Sequence, residues 1–334
     1  MRPLAYTIAS VTVDARQRAL VAFLVAGLLA LWIAACGDDA DTGGDGDEAP
    51  LIQSSPENEE VELVIGSKTL DKQQLILGEI YARALEAAGY SVEIDSNLGS
   101  EPIAKKALAR GEVDAYPEDT LTILSSLYEL PSQEIPDTAE EAFDLTLENL
   151  EGDGLTAFSP TPFASATGVG ILTEKAEELG VETISDLESV SQELTLFGTS
   201  ECPQRADCLV GLEEDYGLEF AEFVPVDPEL RYEVLDSGDA DLSILSSADG
   251  QLSESGDYTL LEDDRELLPV GNVVLIASQA AVDEAGEDFG GTIEGVQENL
   301  TLEVVQELNA RVSLDREDPA DVAEDYLRAS GYID

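Results

Sequence analysis

Histidine is absent from this chain, and basic residues are scarce: 16 lysines and arginines stand against 72 aspartates and glutamates, a formal charge of −56 at pH 7. Without histidine there is neither a Ser-His-Asp triad nor a histidine-ligated metal site. So few cations cannot neutralise a phosphate backbone, which excludes nucleic acid as a partner. The acidic field would attract cations, but salt screens it beyond about 10 Å at 0.1 M. We therefore interpret the charge as a hydrated surface suited to a salty exterior.

The motifs of nucleotide and hydrolytic chemistry are missing as well. The 334 residues contain no phosphate-cradling Walker sequence, and no acidic pair stands out as the machinery of a carboxylate-based hydrolase. The aspartates after residue 37 superficially suggest a calcium loop, but Pro50 occupies the twelfth position from Asp39, where such a loop needs glutamate. The sequence therefore predicts no catalytic residue, no metal and no cofactor.

The first 36 residues have the pattern of an export signal. Arg2, Arg16 and Arg18 precede an apolar run over 19–35, which ends in Ile-Ala-Ala before Cys36. This junction looks like a bacterial lipobox, in which the cysteine sulfur is lipidated. A run of about 17 apolar residues is also just long enough for an uncleaved membrane anchor, which is the alternative. Residues 37–60 are rich in Asp, Glu, Gly, Ser and Pro and predict a flexible tether.

From Val61 onward, short apolar strands alternate with helices. Strands at 62–65, 92–94 and 113–116 enclose helices at 73–88 and 100–111, the second with Ser100 at its cap and Pro102 in its first turn. This βαβαβ run predicts a largely parallel sheet with its ligand crevice at the carboxyl ends of the strands. Further strands are predicted at 194–197, 220–226 and 242–245, and further helices at 206–216, 228–237, 302–312 and 319–329. Apolar segments at 155–158, 169–172 and 273–277 are predicted to cross between two lobes.

Several strings in a fixed order resemble the glycine betaine/choline-binding proteins of ABC importers. They are GSKTLDKQQLILGEIYARALEAAGY (66–90), NLGS (97–100), GEVDAYPEDT (111–120), TISDLESV (183–190), ECPQRADCLVGLEEDYGLEF (201–220), LRYEVLDSGDADL (230–242), LLEDD (260–264) and ELNARV (307–312). The resemblance covers essentially all of 61–334, and the stretch with two cysteines is similar to an actinobacterial branch of the family.

The resemblance implies an α/β fold of the type II periplasmic-binding-protein class, with two lobes closing over a ligand. Lobe I would comprise 61–160 and 272–334, and lobe II 161–271. The protein would sit outside the cytoplasm, lipid-anchored to the membrane, and deliver a quaternary amine to ABC permease subunits with a separate ATPase. A sensory or scaffold lipoprotein on the same fold, or a binding protein for another small polar solute, are the alternatives.

The family holds quaternary ammonium groups in an aromatic cage, because ring faces attract a cation that donates no hydrogen bonds. Tyr116 and Tyr232 fall at matching positions, although each is also compatible with plain core packing. Where the family often has an aromatic residue in the first crossing, this chain has Ser165, with Phe163 close enough to substitute. The family's Tyr-Pro-Glu-Tyr-Thr-Gly-Thr has become Tyr-Pro-Glu-Asp-Thr-Leu-Thr at 116–122.

Polar residues complete the predicted site and make it more polar than the family norm. Some relatives carry aromatic residues near position 246, but this chain has Ser246, Ser247, Ala248 and Asp249. Asp249 is a candidate partner for a cation, or one more solvated acid. Backbone and hydroxyl donors in the turn after the first strand can meet a ligand carboxylate or hydroxyl. The remaining candidates are Ser67, Lys68, Thr69, Thr120 and Ser200.

Two of the three cysteines, Cys202 and Cys208, are separated by five residues. In an exported protein this favours a disulfide. A metal site would need two further ligands, and the chain has no spare thiol or histidine to supply them.

Overall fold

The computed structural model describes residues 50–68, 71–131, 134–200, 202–205, 208–227, 230–254 and 256–334. The predicted export signal, Cys36 and Thr69 lie outside the described residues. None of the described helices has the length and apolar character needed to cross a membrane. Strands and helices alternate along the described part of the chain, as the sequence predicts for an α/β fold.

The amino-terminal half contains the predicted βαβαβ run. Its elements are β1 Glu62–Lys68, α1 Lys72–Ala87, β2 Ser91–Leu98, α2 Glu101–Ala109 and β3 Ala115–Asp119. β1 lies between β2 and β3 and pairs parallel with both. Asp71 caps α1 by accepting a hydrogen bond from Gln74 N, while Ser100 stands at the cap of α2 without a side-chain bond. Parallel pairing brings the carboxyl ends of the three strands to one edge.

The remaining strands extend the sheet in the order β2-β1-β3-β10-β5-β8-β6-β7, with β4 on β10 and β9 on β5. They are β4 Leu155–Ala157, β5 Ala164–Leu172, β6 Thr195–Gly198, β7 Glu222–Pro225, β8 Leu242–Ser246, β9 Tyr258–Leu260 and β10 Val270–Ser278. Apart from the helical turn Thr120–Thr122, the π-helix Ile123–Leu127 and short 3-10 helices, the remaining helices are α3 Ala139–Glu151, α4 Thr173–Leu179, α5 Leu209–Glu214, α6 Glu233–Ser237, α7 Gln251–Glu254, α8 Gln279–Ala285, α9 Glu287–Gln297, α10 Leu302–Ser313 and α11 Pro319–Ala329.

β5 and β10 connect the two halves of this sheet. β10 pairs antiparallel with β3 through Val273–Ala277 and with β5 through Val270–Asn272. β5 continues from that pairing into a ladder with β8. The crossing itself is therefore the short stretch where 164–166 faces 270–272.

The crossings predicted from apolar segments are displaced or wrong. The segments 169–172 and 273–277 lie in β5 and β10, the two strands that form the crossing. Both segments lie beyond the crossing, where β5 pairs with β8 and β10 pairs with β3. The one at 155–158 does not cross, because β4 pairs with β10 over 276–278 on the side of β3. The reason is compositional: apolar residues mark the buried flanks of β5 and β10, whereas the crossing consists of Ala164, Ser165, Ala166, Val270, Gly271 and Asn272.

Buried apolar side chains form separate clusters on the two sides of the crossing. Around β1–β3, one cluster packs beneath α1 and the carboxy-terminal helices, and another packs against α2. Around β6–β8, a further cluster contains the two cysteines, and a smaller one surrounds Tyr232. Phe163 and Ala248 belong to the cluster beneath α1, so the segments that carry them contact the first half of the molecule.

Residues 50–60, which the composition assigns to the flexible tether, are bonded to the fold. Asn58 is buried and its Nδ2 donates to Ala88 O at the end of α1 over 2.9 Å. The backbone amides of Leu51 and Ile52 donate to the carbonyls of Gly331 and Tyr332. Polar composition does not reveal such long-range backbone bonds, so the tether prediction extends too far at its carboxyl end.

The predicted disulfide is confirmed between Cys202 and Cys208, whose Cα atoms are 5.2 Å apart. Both cysteines are buried in the cluster of the second half, just before α5. Closing so short a loop stabilises the fold by about 2–2.5 kcal/mol in the chain-entropy description.

We expect the paired variant Cys202→Ala/Cys208→Ala to lower the free energy of unfolding by roughly 2–4 kcal/mol, because it loses the cross-link and some buried packing. Urea denaturation with and without dithiothreitol measures this loss. Reductant should weaken the wild type and leave the variant unchanged. An equal response of both proteins to reductant would contradict the assignment.

Candidate functional site

A buried ion pair occupies the carboxyl ends of β1 and β3. Lys68 Nζ lies 3.0 Å from Glu118 Oε1 and 3.0 Å from Glu101 Oε1, which belongs to the first turn of α2. Lys68 is 8% exposed and Glu118 is fully buried, so neither charge is solvated by bulk water. Burial alone would lower the pKa of Lys68, but the two carboxylates raise it above its ordinary value. Lys68 is therefore a cation whose charge is already balanced within the protein.

Glu118 is the centre of this network. Its Oε1 also accepts hydrogen bonds from Gln74 Nε2 at 2.8 Å and from the backbone amide of Asp119 at 3.1 Å. Its Oε2 lies 2.8 Å from Lys68 Nζ but receives no well-directed hydrogen bond. Burial raises the pKa of Glu118 to about 7, although Lys68 opposes the shift. Glu118 was not among the predicted site residues, even though this glutamate belongs to the Tyr-Pro-Glu string that supports the resemblance.

Tyr116 is fully buried on the same strand. Its ring packs in the cluster of Leu98, Leu108 and Ile276, and its hydroxyl has no hydrogen-bond partner within the part of the chain that the structure describes. Burial, with Glu118 and Glu101 nearby, raises the pKa of this hydroxyl well above its ordinary value. In the arrangement described, the ring contributes to the core, which is the plainer of the two interpretations of the sequence.

Ser67 and Asp119 lie beside the same strand ends. Ser67 is buried under α1, where its hydroxyl oxygen would be 3.2 Å from a Cβ placed on Gly78. Asp119 is half-buried, and its Oδ1 accepts from the backbone amides of Leu121 and Thr122 at 2.8 and 3.2 Å. Burial, with Asp71 nearby, raises the pKa of Asp119 to about 6 despite these bonds.

The crossing is held by a polar network in which Asn272 is central. Its Nδ2 donates to the carbonyls of Thr161 and Phe163 at 2.9 and 2.8 Å, and its backbone amide donates to Thr120 Oγ1 at 3.2 Å. Thr120 and Phe163, both predicted site residues, are therefore brought together here. Ser165, half-buried, pairs with Gly271 one residue along the same ladder. No sequence signal distinguished Asn272 from other asparagines.

On the other side of the crossing, Asp249 accepts from three groups. Tyr232 donates its hydroxyl to Oδ2 over 2.8 Å, Ser246 donates its backbone amide over 3.0 Å, and Arg231 forms an ion pair with Oδ1. Burial raises the pKa of Asp249, against the effect of Arg231. The predicted residues Tyr232, Ser246 and Asp249 thus form one cluster, with Arg231 as the member that the sequence argument missed.

The two predicted cage tyrosines lie in different clusters. The ring of Tyr232 packs against Tyr258 in an edge-on geometry with centroids 4.8 Å apart, and it is 7% exposed. Tyr116 belongs to the cluster against α2. Ser200 is exposed in the turn after β6, while Thr69 lies outside the described residues. The arrangement described therefore presents carboxylates and hydroxyls at the crossing more than ring faces.

A separate depression of about 420 Å³ lies near the far end of α1, where Ala88, Asn58 and Tyr332 contribute to its lining. The 16 residues of α1 separate this end from Asp71, a distance of about 24 Å along the helix. The polar groups described above are concentrated at the strand ends and the crossing, away from this depression, and we take that region as the candidate site.

Comparison with known proteins gives consistent results. The family described as the substrate-binding domain of ABC-type glycine betaine transport systems matches residues 61–329. A glycine-betaine-binding protein of Pseudomonas aeruginosa is 30% identical over 283 residues, which cover 81% of this chain and 89% of that protein. The ergothioneine transport permease/ergothioneine binding protein EgtU of Helicobacter pylori is 27% identical over 82% of this chain, which spans about half (48%) of that protein.

The crystal structure of a glycine betaine/carnitine/choline ABC transporter matches with a TM-score of 0.73 at 23% identity. The match covers 81% of this chain and 100% of that one. At this identity the likeness shows the fold, and it confirms the two-lobed α/β class expected from the sequence.

The buried carboxyl of Glu118 predicts a pH dependence of stability. A pKa raised from its ordinary value to about 7 gives a stabilisation that is complete below pH 4.5 and lost as the pH rises through 7. We therefore expect the free energy of unfolding of the wild type, minus that of Glu118→Gln, to fall as the pH rises from 4.5 to 7. Urea denaturation at several pH values measures this difference. Glu148→Gln, at an exposed position, is the matched control, and a difference that stays constant or grows for Glu118→Gln would refute the burial argument.

Proposed function

This chain belongs to the family of substrate-binding domains of ABC-type glycine betaine transport systems, and from that premise we propose that it captures a quaternary-amine osmoprotectant and releases it to permease subunits. Proteins of this class are extracytoplasmic, and members of the family bind solutes rather than transform them. The observation that carries the proposal is the crossing of β5 and β10, which joins two sets of apolar clusters and has polar residues on both sides.

Two lobes account for this arrangement. Lobe I comprises 61–160 with 272–334, and lobe II comprises 161–271. The clusters around β1–β3 and around β6–β8 support this division, since apart from Phe163 and Ala248 each draws its members from one lobe. The pairing of 164–166 with 270–272 then acts as the hinge. Most of the paired residues are small, so a rotation there changes few side-chain contacts apart from those of Asn272.

The ligand would bind at the crossing, between the strand ends of lobe I and the Asp249 cluster of lobe II. Asp119, Thr120 and Ser165 lie beside the hinge itself. Tyr232 acts through the carboxylate of Asp249, to which it donates its hydroxyl, and so serves as a positioning residue. The wider set of candidate contacts remains Ser67, Lys68, Thr69, Tyr116, Phe163, Ser200 and Ser246.

Lipidation of Cys36 would hold the protein at the outer face of the membrane. The stretch between Cys36 and Pro50 has about 13 residues, which reach roughly 45 Å when extended. Such a reach lets the lobes meet the permease while the anchor stays in the lipid. The H. pylori relative, named as both permease and binding protein, is consistent with a permease as the partner.

Ligand binding should stabilise the protein in a saturable way. Glycine betaine, choline or carnitine at 100 times its dissociation constant would raise the free energy of unfolding by about 2.7 kcal/mol. Thermal unfolding across a concentration series of each solute measures the effect. Glycerol is the control, since it stabilises without binding and its effect does not saturate. If no quaternary amine gave a saturable rise, the proposed function would be wrong.

Lipidation is tested separately in a bacterial host that processes lipoproteins. We expect the wild type to enter the detergent phase on Triton X-114 partitioning as the mature, lipid-modified form. Cys36→Ser has no sulfur to lipidate and should not yield that form. The Cys202→Ala/Cys208→Ala variant is the control for loss of cysteine and should partition like the wild type. Equal detergent partitioning and identical mature mass for Cys36→Ser and the wild type would exclude the anchor.

A further inference from the structure

The cations beside the crossing are already neutralised by the protein. Lys68 is bonded to Glu118 and Glu101, and Arg231 is paired with Asp249, whose other oxygen accepts from Tyr232. A backbone hydrogen bond and the contact with Lys68 lower the pKa of Glu101 against the effect of burial, so this carboxylate is charged beside the lysine. A ligand carboxylate entering here would meet no uncommitted cation among these residues.

Asp119 adds a negative charge at the crossing. A Cβ placed on Gly271 would lie 3.2 Å from Asp119 Oδ1, so this carboxylate borders the hinge strand. Its described bonds are to two backbone amides of the following turn, through Oδ1 alone, and the nearest charged influences on it are Asp71 and Lys68. This is the position at which the resembled motif has tyrosine.

The side chain of Gln74 carries a buried acceptor that has no partner among the described residues. Gln74 is 3% exposed, and its Nε2 donates to Glu118 Oε1, which fixes the orientation of the amide. Within the described ranges, its Oε1 has no hydrogen-bond partner. Glu118 Oε1 also accepts from the Asp119 amide, so one carboxylate oxygen joins the side-chain amide of Gln74 to the Glu118–Asp119 dipeptide. A buried acceptor left unpaired is unfavourable, and a ligand hydroxyl would pair with it.

We infer that the site prefers net-cationic quaternary amines with a hydroxyl group, of the choline type, over zwitterionic amines of the betaine type. Asp119 faces the ammonium group, and Gln74 Oε1 accepts from the ligand hydroxyl. A zwitterion offers only acceptors at its other end, and its carboxylate would be desolvated next to carboxylates. The inference deepens the proposed function and rests on it, since it specifies which solutes of that class bind.

Isothermal titration of the full wild-type chain with choline and with glycine betaine, at matched ionic strength, tests the preference. We expect choline to bind at least tenfold more tightly, which corresponds to about 1.4 kcal/mol. If glycine betaine bound equally or more tightly, the inference would be overturned while the proposed function stood. If neither choline, glycine betaine nor carnitine bound, both would be overturned.

Asp119→Asn tests the assigned residue, since asparagine preserves an acceptor for the turn and removes the charge. We expect it to weaken choline binding about tenfold and glycine betaine binding much less, so that the ratio of affinities approaches one. Asp144→Asn, at an exposed position of α3, is the matched control and should leave the ratio unchanged. An equal loss of affinity for both ligands would show that Asp119 does not determine the preference between them. If Asp119→Asn did not fold, the wild-type ratio would still decide the preference.

Discussion

The pairing of 164–166 with 270–272 is the constraint on which the rest of the structure depends. These short stretches connect separate apolar clusters, and Asn272 ties them to Thr120 and Phe163. A buried amide that donates to two carbonyls fixes the backbone, because leaving either carbonyl unpaired in the interior is unfavourable. Small side chains along the ladder add little packing of their own. The crossing is thus ordered by hydrogen bonds while the apolar contacts lie to either side.

The buried charges beside this crossing fix the orientation of neighbouring groups more than they stabilise the fold. Removing Lys68, Glu101 and Glu118 from water is costly, and mutual attraction does little more than offset it. What the cluster provides is a defined orientation: Glu118 accepts from Lys68, Gln74 and Asp119, so the ends of β1, α1 and β3 are held together through one carboxylate. The raised pKa of Glu118 is the measure of how incompletely this burial is compensated.

Local sequence patterns predicted the local structure. They could not predict which residues far apart in the sequence contact each other. Periodicity located α1 and its buried face, and the Ser100–Pro102 pattern located the start of α2. The disulfide followed from compartment and short spacing. By contrast, Lys68 and Glu118 are 50 residues apart in sequence, and nothing local marks them as partners among 72 acidic residues. The same limit applies to Tyr232, whose hydroxyl is engaged by Asp249. The predicted crossings were displaced because apolar content marks the buried flanks of β5 and β10, whereas the crossing itself contains Ser165, Gly271 and Asn272.

Acidic residues consequently have two unrelated roles in this chain. All 72 contribute to the net charge of −56, and the field of the exposed ones is damped over about 10 Å in 0.1 M salt. Those beside the crossing act in a region shielded from water, where electrostatic interactions are several times stronger than in bulk solvent. Interactions at the crossing depend on the second group, so the overall charge of the chain says little about them. Burial raises the pKa of both Asp119 and Glu118, so burial, rather than number, determines how a carboxylate there behaves.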